Sequence, residues 1–299
     1  MRQPGHFYRR VLDRDVSSIG IGTYLGDRSY TDALLAAAES GINFFDTAIN
    51  YRHQQSERDI GVALRQLRRE EIVVCTKAGF LTPGAIPSGL LQADVVAGMH
   101  CMAPDFLADQ IDRSRANLGI DTIDVLYLHN PETQLAHIAR PEFDRRIQAA
   151  FSRLEELVVH GKIRYYGVAT WDGLRKGALQ LPRMAELAGP HFRFIQLPFN
   201  FAMTEAFFGQ PESVLQAAAR LGIVAVASAS LLQTRILPNV PDVIPGLDTA
   251  AQRAIQFTRS TPGISVALVG MSSREHVIEN VGVAQVPPLT PDQYMRLCP

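Results

Sequence analysis

The chain of 299 residues has only three cysteines, Cys75, Cys101 and Cys298, and no CxxC pair. An odd count without paired spacing argues against a disulfide framework. No HExxH or other metal-ligand spacing occurs, so no metal is expected. No run approaches the roughly 18 apolar residues of a membrane span, so no membrane partner is expected. The N-terminal stretch MRQPGHFYRRVLDRDV lacks the apolar h-region of a secretory signal. A reducing, cytoplasmic setting is the simplest expectation. The formal net charge of -1 leaves no global field to recruit nucleic acid or an anionic membrane. There is no low-complexity tract, no charge block and no 20–50-residue repeat. Nothing in the sequence fixes the oligomeric state.

What is present is a rhythm. Short apolar runs alternate with longer amphipathic stretches, about eight times. The runs are Ile19–Gly22, Asn43–Asp46, Ile72–Lys77, Thr122–His129, Ile163–Ala169, Phe194–Pro198, Val224–Ser228 and Ser265–Gly270. Most are apolar throughout rather than alternating, as strands buried on both faces are. Helical patterns lie between them. Tyr30–Ser40 ends at Gly41 and Phe143–His160 ends at Gly161, both placed as C′ glycines. Ser56 is expected to cap the next helix. Further helices are expected over Asp105–Leu118, Trp171–Leu187, Pro211–Arg220, Thr249–Ser260 and Ser273–Ala284. Strand–helix alternation throughout implies a parallel α/β fold. Eight units in fewer than 300 residues imply one (β/α)8 TIM barrel domain spanning 1–299, since such barrels need about 250 residues. Phe7–Val16 is expected to be a hairpin closing the barrel floor. Gly79–Pro104 is a long Gly- and Pro-rich loop, a length usually kept for function.

Active sites of such barrels sit at the C-terminal strand ends. Strand two ends at Asp46, strand three at Lys77 and strand four at His129, while Tyr51 lies in the loop after Asp46. An aspartate at a strand end is more often a helix cap, and a lone histidine is as often a core residue. Three consecutive strand ends plus a tyrosine five residues after the first change those odds. A free tyrosine has a pKa near 10 and is a poor acid or base at neutral pH. A neighbouring lysine stabilises the phenolate, an aspartate keeps the lysine charged, and a histidine can polarise a carbonyl. These groups suit hydride delivery to a carbonyl from a cofactor. A metal-dependent barrel hydrolase is disfavoured by the lack of clustered His and acidic ligands.

The segments D46-T47-A48-x-x-Y51, S56-E57-x-x-I60-G61-x-A63-L64, T76-K77 and L126-Y127-L128-H129 resemble the aldo-keto reductases. So do G20-I21-G22-T23, E155-E156-L157 with G161-K162-I163-R164, and V269-G270-M271-S272-S273 with E279-N280. The resemblance covers essentially the whole chain. Its ending is closer to bacterial and plant sugar-dehydrogenase-like branches than to vertebrate aldose reductases. It implies an oxidoreductase with Tyr51 as general acid, Lys77 tuning it, Asp46 pairing with Lys77, and His129 orienting a small aldehyde, ketone or sugar carbonyl. It implies NADPH/NADP+ as cofactor, with NADH open, held without a Rossmann domain. The segment Gly20–Gly26 indeed misses the G-x-G-x-x-G spacing.

The cofactor residues implied by position are Gly22, Thr23, Thr170, Gln196, Ser228, Leu231, Gly270, Ser272, Ser273, Arg274, Glu279 and Asn280. Three departures fall among them. Ala169-Thr170 stand where the family has Ser-Asn, Ser228 replaces a stacking tyrosine, and Gly270-Met271 replace Lys-Ser. Hydroxyls, helix N-terminal amides and a guanidinium make Ser272, Ser273 and Arg274 candidates for a 2′-phosphate. Tyr24, Phe80, Trp171 and Phe199, with Phe201, are candidate substrate walls. His100 and Met102 are placed near the mouth. The alternative reading is a catalytically weak, cofactor-sensing regulatory protein on the same fold.

Overall fold

The computed structural model describes residues 3–298. In chain order the strands are β1 (Tyr8–Val11), β2 (Arg14–Ser17), β3 (Ile19–Gly22), β4 (Phe44–Asp46), β5 (Val73–Ala78), β6 (Val95–Val96), β7 (His100–Cys101), β8 (Ile123–His129), β9 (Ile163–Ala169), β10 (Phe192–Pro198), β11 (Val224–Ser228) and β12 (Ile264–Gly270). The helices are α1 (Thr31–Glu39), α2 (Gln55–Leu64), α3 (Pro104–Leu118), α4 (Arg140–Val159), α5 (Leu181–Leu187), α6 (Val214–Arg220), α7 (Ala250–Ser260), α8 (Arg274–Val281) and α9 (Pro291–Leu297). Strands β3, β4, β5, β8, β9, β10, β11 and β12 form a closed parallel barrel, sealed where β12 pairs with β3, Ala267 opposite Ile19 and Gly270 opposite Gly22. This is the (β/α)8 barrel expected.

Both-face burial explains the unbroken apolar runs. All six residues of β5 are buried. Phe44, Val73, Cys75, Val125, Tyr127, Phe194, Val226 and Val266 fill the barrel interior, and their neighbours face the helices. The hairpin β1–β2 closes the floor. Val11 and Val16 join the interior cluster, while Asp13 pairs with Arg164 and Arg14 with Asp124 across the rim. The floor is therefore plugged, and the mouth lies at the opposite end.

Several boundaries differ from expectation, each for a local reason. Ser56 does not cap α2. The helix starts at Gln55 behind a left-handed Gln54 (φ 72°), and Ser56 Oγ donates to the Thr23 carbonyl at 2.8 Å. The expected helix Trp171–Leu187 survives only as α5. Residues 171–180 make turns instead, with Gly177 at φ 75° and the amides of 171–173 drawn to Glu132. Helix α6 begins at a capping box between Ser213 and Gln216, inside the expected span. A further box between Thr290 and Gln293 starts α9, which was not expected. The long loop 79–104 carries the small β6–β7 hairpin.

Gly167 in β9 shows how tightly the strands close. A Cβ there would lie 1.7 Å from the Phe194 carbonyl oxygen, which is backbone of the neighbouring strand. Gly167→Ala is expected to cost about 3 kcal/mol or more by overpacking, read as a lowered urea midpoint with an unchanged m-value.

Candidate active site

Lys77 lies next to the end of β5 with its side chain 1% exposed. Its Nζ donates to Asp46 Oδ2 at 2.6 Å and to the Thr47 carbonyl at 2.7 Å. Asp46, at the end of β4, also accepts from Gln196 Nε2 of β10 at 2.8 Å. Burial raises the Asp46 carboxyl, and Lys77 and Gln196 counter it. Burial opposes the Lys77 ammonium, but Asp46 and Tyr51 outweigh it and hold its pKa above the ordinary value. The lysine therefore stays charged at neutral pH.

Tyr51 hangs over this pair, its ring centroid 5.0 Å from Lys77 Nζ. Burial pushes its phenol above the ordinary value, while the Lys77 charge pulls it down. The turn that delivers Tyr51 is unusual. Arg52, His53 and Gln54 follow with φ of 49°, 52° and 72°, a strain of the kind found at functional sites. Rings then continue around the mouth edge to face. Tyr24 meets Tyr51 at 4.9 Å, Tyr51 meets His129 at 5.8 Å, and Phe80 meets His129 at 5.0 Å. Burial, followed by the charge of Lys77, holds His129 well below its usual pKa, so its imidazole is neutral.

His100 lies behind His129, fully buried rather than at the mouth. The His129 carbonyl can only accept, so His100 Nε2 donates to it at 2.9 Å. Its Nδ1 then accepts from Gln134 Nε2 at 3.1 Å. Burial pushes this histidine down to about 4, so it too is neutral. Met102 is buried in the helix-side core.

A cleft of about 730 Å³ opens above these groups. It brings together most of the residues singled out from sequence: Gly22, Thr23, Tyr24, Asp46, Tyr51, Phe80, His129, Thr170, Trp171, Gln196, Ser228, Leu231, Gly270 and Ser272. Phe199 is a correction. It is completely buried and stacks on Phe257, so it belongs to the core and walls nothing. Phe201 also stacks on Phe257, at 3.9 Å. Ser273, Arg274, Glu279 and Asn280 lie outside the cleft lining. Ser273 caps α8 by accepting from His276 N, and Arg274 pairs with Glu39 at 2.8 Å. The Glu279 carbonyl accepts from Gln252 Nε2, and Asn280 is buried with Oδ1 unpartnered.

The sequence missed Asn50, Asn130 and the stretch Leu232–Arg235, all lining the cleft. Asn130 is left-handed (φ 49°), as are Leu232, Gln233 and Thr234. An asparagine after a strand-end histidine is a usable signal for such a turn. Left-handed Leu, Gln and Thr carry none. Among the described residues no group of His, Cys, Asp and Glu is arranged to hold a metal, and no helix is long and apolar enough to cross a membrane.

Set against known proteins, residues 18–240 match the model of the Aldo/keto reductase family. The chain belongs to the aldo/keto reductase family. A family relative, the D-threo-aldose 1-dehydrogenase of Pseudomonas sp, is 34% identical over 160 residues, 49% of this chain and 45% of that protein. The NADH-specific methylglyoxal reductase of Escherichia coli (strain K12) is 30% identical over 175 residues, 54% of this chain and 51% of that protein. The chain spans about half the length of these two curated relatives. The solved aldo/keto reductase from Klebsiella pneumoniae in complex with NADP and acetate superposes with a TM-score of 0.71 at 22% identity, covering 99% of this chain and 94% of that one. That likeness shows the fold. A sugar dehydrogenase among the relatives agrees with the sugar-dehydrogenase-like branch expected from the C-terminal motif.

Within this aldo/keto reductase the buried pair has a testable cost. Lys77→Met strands the Asp46 carboxylate, and removing one partner of a buried pair costs about 3–5 kcal/mol. The double change Asp46→Asn with Lys77→Met is expected to regain most of it. A double-mutant cycle by urea denaturation measures both.

Proposed function

We propose that this chain reduces a small aldehyde, ketone or sugar carbonyl, and runs the reverse oxidation, with NADPH or NADP+ as partner. The observation that carries the reading is Lys77, a buried cation held between the Asp46 carboxylate and the Tyr51 ring beneath the cleft. The cleft volume lies in the range of small-molecule sites. Its lining fits a dinucleotide in kind. Thr170, Ser228 and Ser272 offer hydroxyls, Gln196 an amide, and Arg235 a cation, while Ser230 Oγ is buried without a partner. When bound, the cofactor supplies or accepts a hydride.

The protein's own part is proton handling and aim. Tyr51 donates its phenolic proton to the oxygen of the carbonyl as that carbon is reduced. Lys77 stabilises the phenolate left behind, and Asp46 keeps Lys77 charged. Neutral His129 orients the carbonyl oxygen by hydrogen bonding. Tyr24 and Phe80 shield the reacting carbon from water. Ser272 at the cleft edge, with Ser273 and Arg274 beside it, is assigned to the 2′-phosphate. The Arg274–Glu39 pair is exposed and worth little, so its guanidinium is free to exchange partners. The regulatory alternative is disfavoured because all four acid/base groups meet at one mouth.

Tyr51→Phe is expected to lower kcat by about 10²–10⁴-fold with unchanged circular dichroism; wild-type turnover by this variant would sink the mechanism. Because the phenol is raised, it stays protonated through neutral pH. Reduction should therefore be flat there and fall only at alkaline pH, while oxidation, which needs the phenolate, should rise with pH. Arg274→Ala should raise KM for NADPH about tenfold, the loss of one charge-assisted contact, and leave KM for NADH within twofold. Steady-state kinetics with both cofactors decide this.

A further inference from the structure

The turn after β9 holds Trp171 by its backbone from two sides. Glu132 Oε1 accepts from three successive amides, Trp171 N at 2.9 Å, Asp172 N at 3.2 Å and Gly173 N at 3.1 Å. Arg175 Nε donates to the Trp171 carbonyl at 3.1 Å. Arg175 is itself fixed, giving its remaining nitrogens to Asp172 Oδ1 and to Glu205 Oε1, each at 2.7 Å, with its side chain 9% exposed. The amide before the tryptophan side chain and the carbonyl after it are thus both tied to groups on other parts of the turn and barrel rim. Gly173 completes the fit, because a Cβ there would lie 3.0 Å from Glu132 Cδ and 2.9 Å from Leu179.

Two costs show that the arrangement is not incidental. Glu132 has Oε2 buried without a partner, and burial pushes its carboxyl up against the pull of the three amides. The turn also gives up the helix that its sequence pattern favours. The outcome of both is one side chain, Trp171, standing at the cleft with 41% exposure. An exposed indole on a free loop would sweep several rotamers, whereas a clamped backbone limits where the ring can stand.

We propose that Glu132 is a positioning residue whose three-amide contact, with Arg175 opposite, fixes Trp171 as the wall that selects carbonyl substrates by bulk. The proposal rests on the carbonyl-reducing reading above. A fixed wall gives flat, bulky carbonyls such as aromatic aldehydes a surface to lie on. A one- or two-carbon chain beyond the carbonyl has too little surface to gain from it. Glu132 touches no reacting atom, so its loss should act on KM for bulky substrates and spare kcat.

Trp171 is the single tryptophan of the chain, so its fluorescence reports the wall directly. In Glu132→Ala its emission should shift to the red and its anisotropy fall, without any substrate or turnover. KM for 4-nitrobenzaldehyde should rise about tenfold through misplacement of the wall, while KM for acetaldehyde and kcat for both stay within twofold. Glu132→Gln keeps an oxygen that can accept the same amides and should restore native emission and KM. If Glu132→Ala fails to fold, Arg175→Gln releases the other side of Trp171 and should give the same red shift and the same KM split. Native Trp171 emission in both releasing variants, or equal KM changes for the two aldehydes, overturns the proposal. Glu132→Gln behaving like Glu132→Ala overturns it as well. Failure of the underlying reading is distinct: the unmodified protein would turn over neither aldehyde, while the fluorescence comparison would still report the clamp.

Discussion

The buried contact between Lys77 and Asp46 is the constraint around which the mouth is arranged. A desolvated ammonium needs a counter-charge and further acceptors, and here it takes a carboxylate from β4 and the Thr47 carbonyl. Asp46 in turn takes an amide from β10, on the far side of the barrel. A local need for charge compensation therefore ties three strands together at their C-terminal ends. The same cation gives Tyr51 a neighbour that makes its deprotonated form tolerable in a dry site. Stability and reactivity are demands on one atom, Nζ of Lys77.

The two ends of the barrel are opposite in character. The floor is plugged by Val11 and Val16 and rimmed by ion pairs. The mouth is wide, ringed by edge-to-face aromatics and built from residues in costly conformations at Arg52–Gln54 and Leu232–Thr234. Strain is tolerable there because the interior and the helix shell hold the strands from which those turns hang. Neutral imidazoles fit the same scheme. His129 sits close to the fixed charge of Lys77, and His100 is buried behind it, so neither adds a second cation to the site.

The barrel was legible because burial on both faces writes itself into uninterrupted apolar runs, and β5 or β8 can hardly be read otherwise. Asp46, Lys77 and His129 were legible as the polar residues that end those runs. What failed was set by partners far along the chain. Residues 171–180 have a helical pattern, but Glu132 competes for their amides from 39 residues away. Ser56 has the chemistry of a cap, yet the Thr23 carbonyl takes its hydroxyl. Phe199 stands beside the active strand ends and could face either way; Phe257 on α7 decides that it faces outward. The left-handed run Leu232–Thr234 uses residues with no preference for that conformation, so no local signal exists. The assignment of individual cofactor residues likewise stays with position and chemistry, since Ser273 and Arg274 have structural partners of their own.

The seam of the barrel joins β3, among the first strands made, to β12, among the last. A nascent chain therefore holds the whole acid/base set of β4, β5 and β8 long before it can close. Until residue 270 has left the ribosome, β3 keeps an unpaired edge, the kind of surface that recruits other strands. Closing the seam is thus a late step in making this barrel, and a chaperone that shields a strand edge would act on β3 until then.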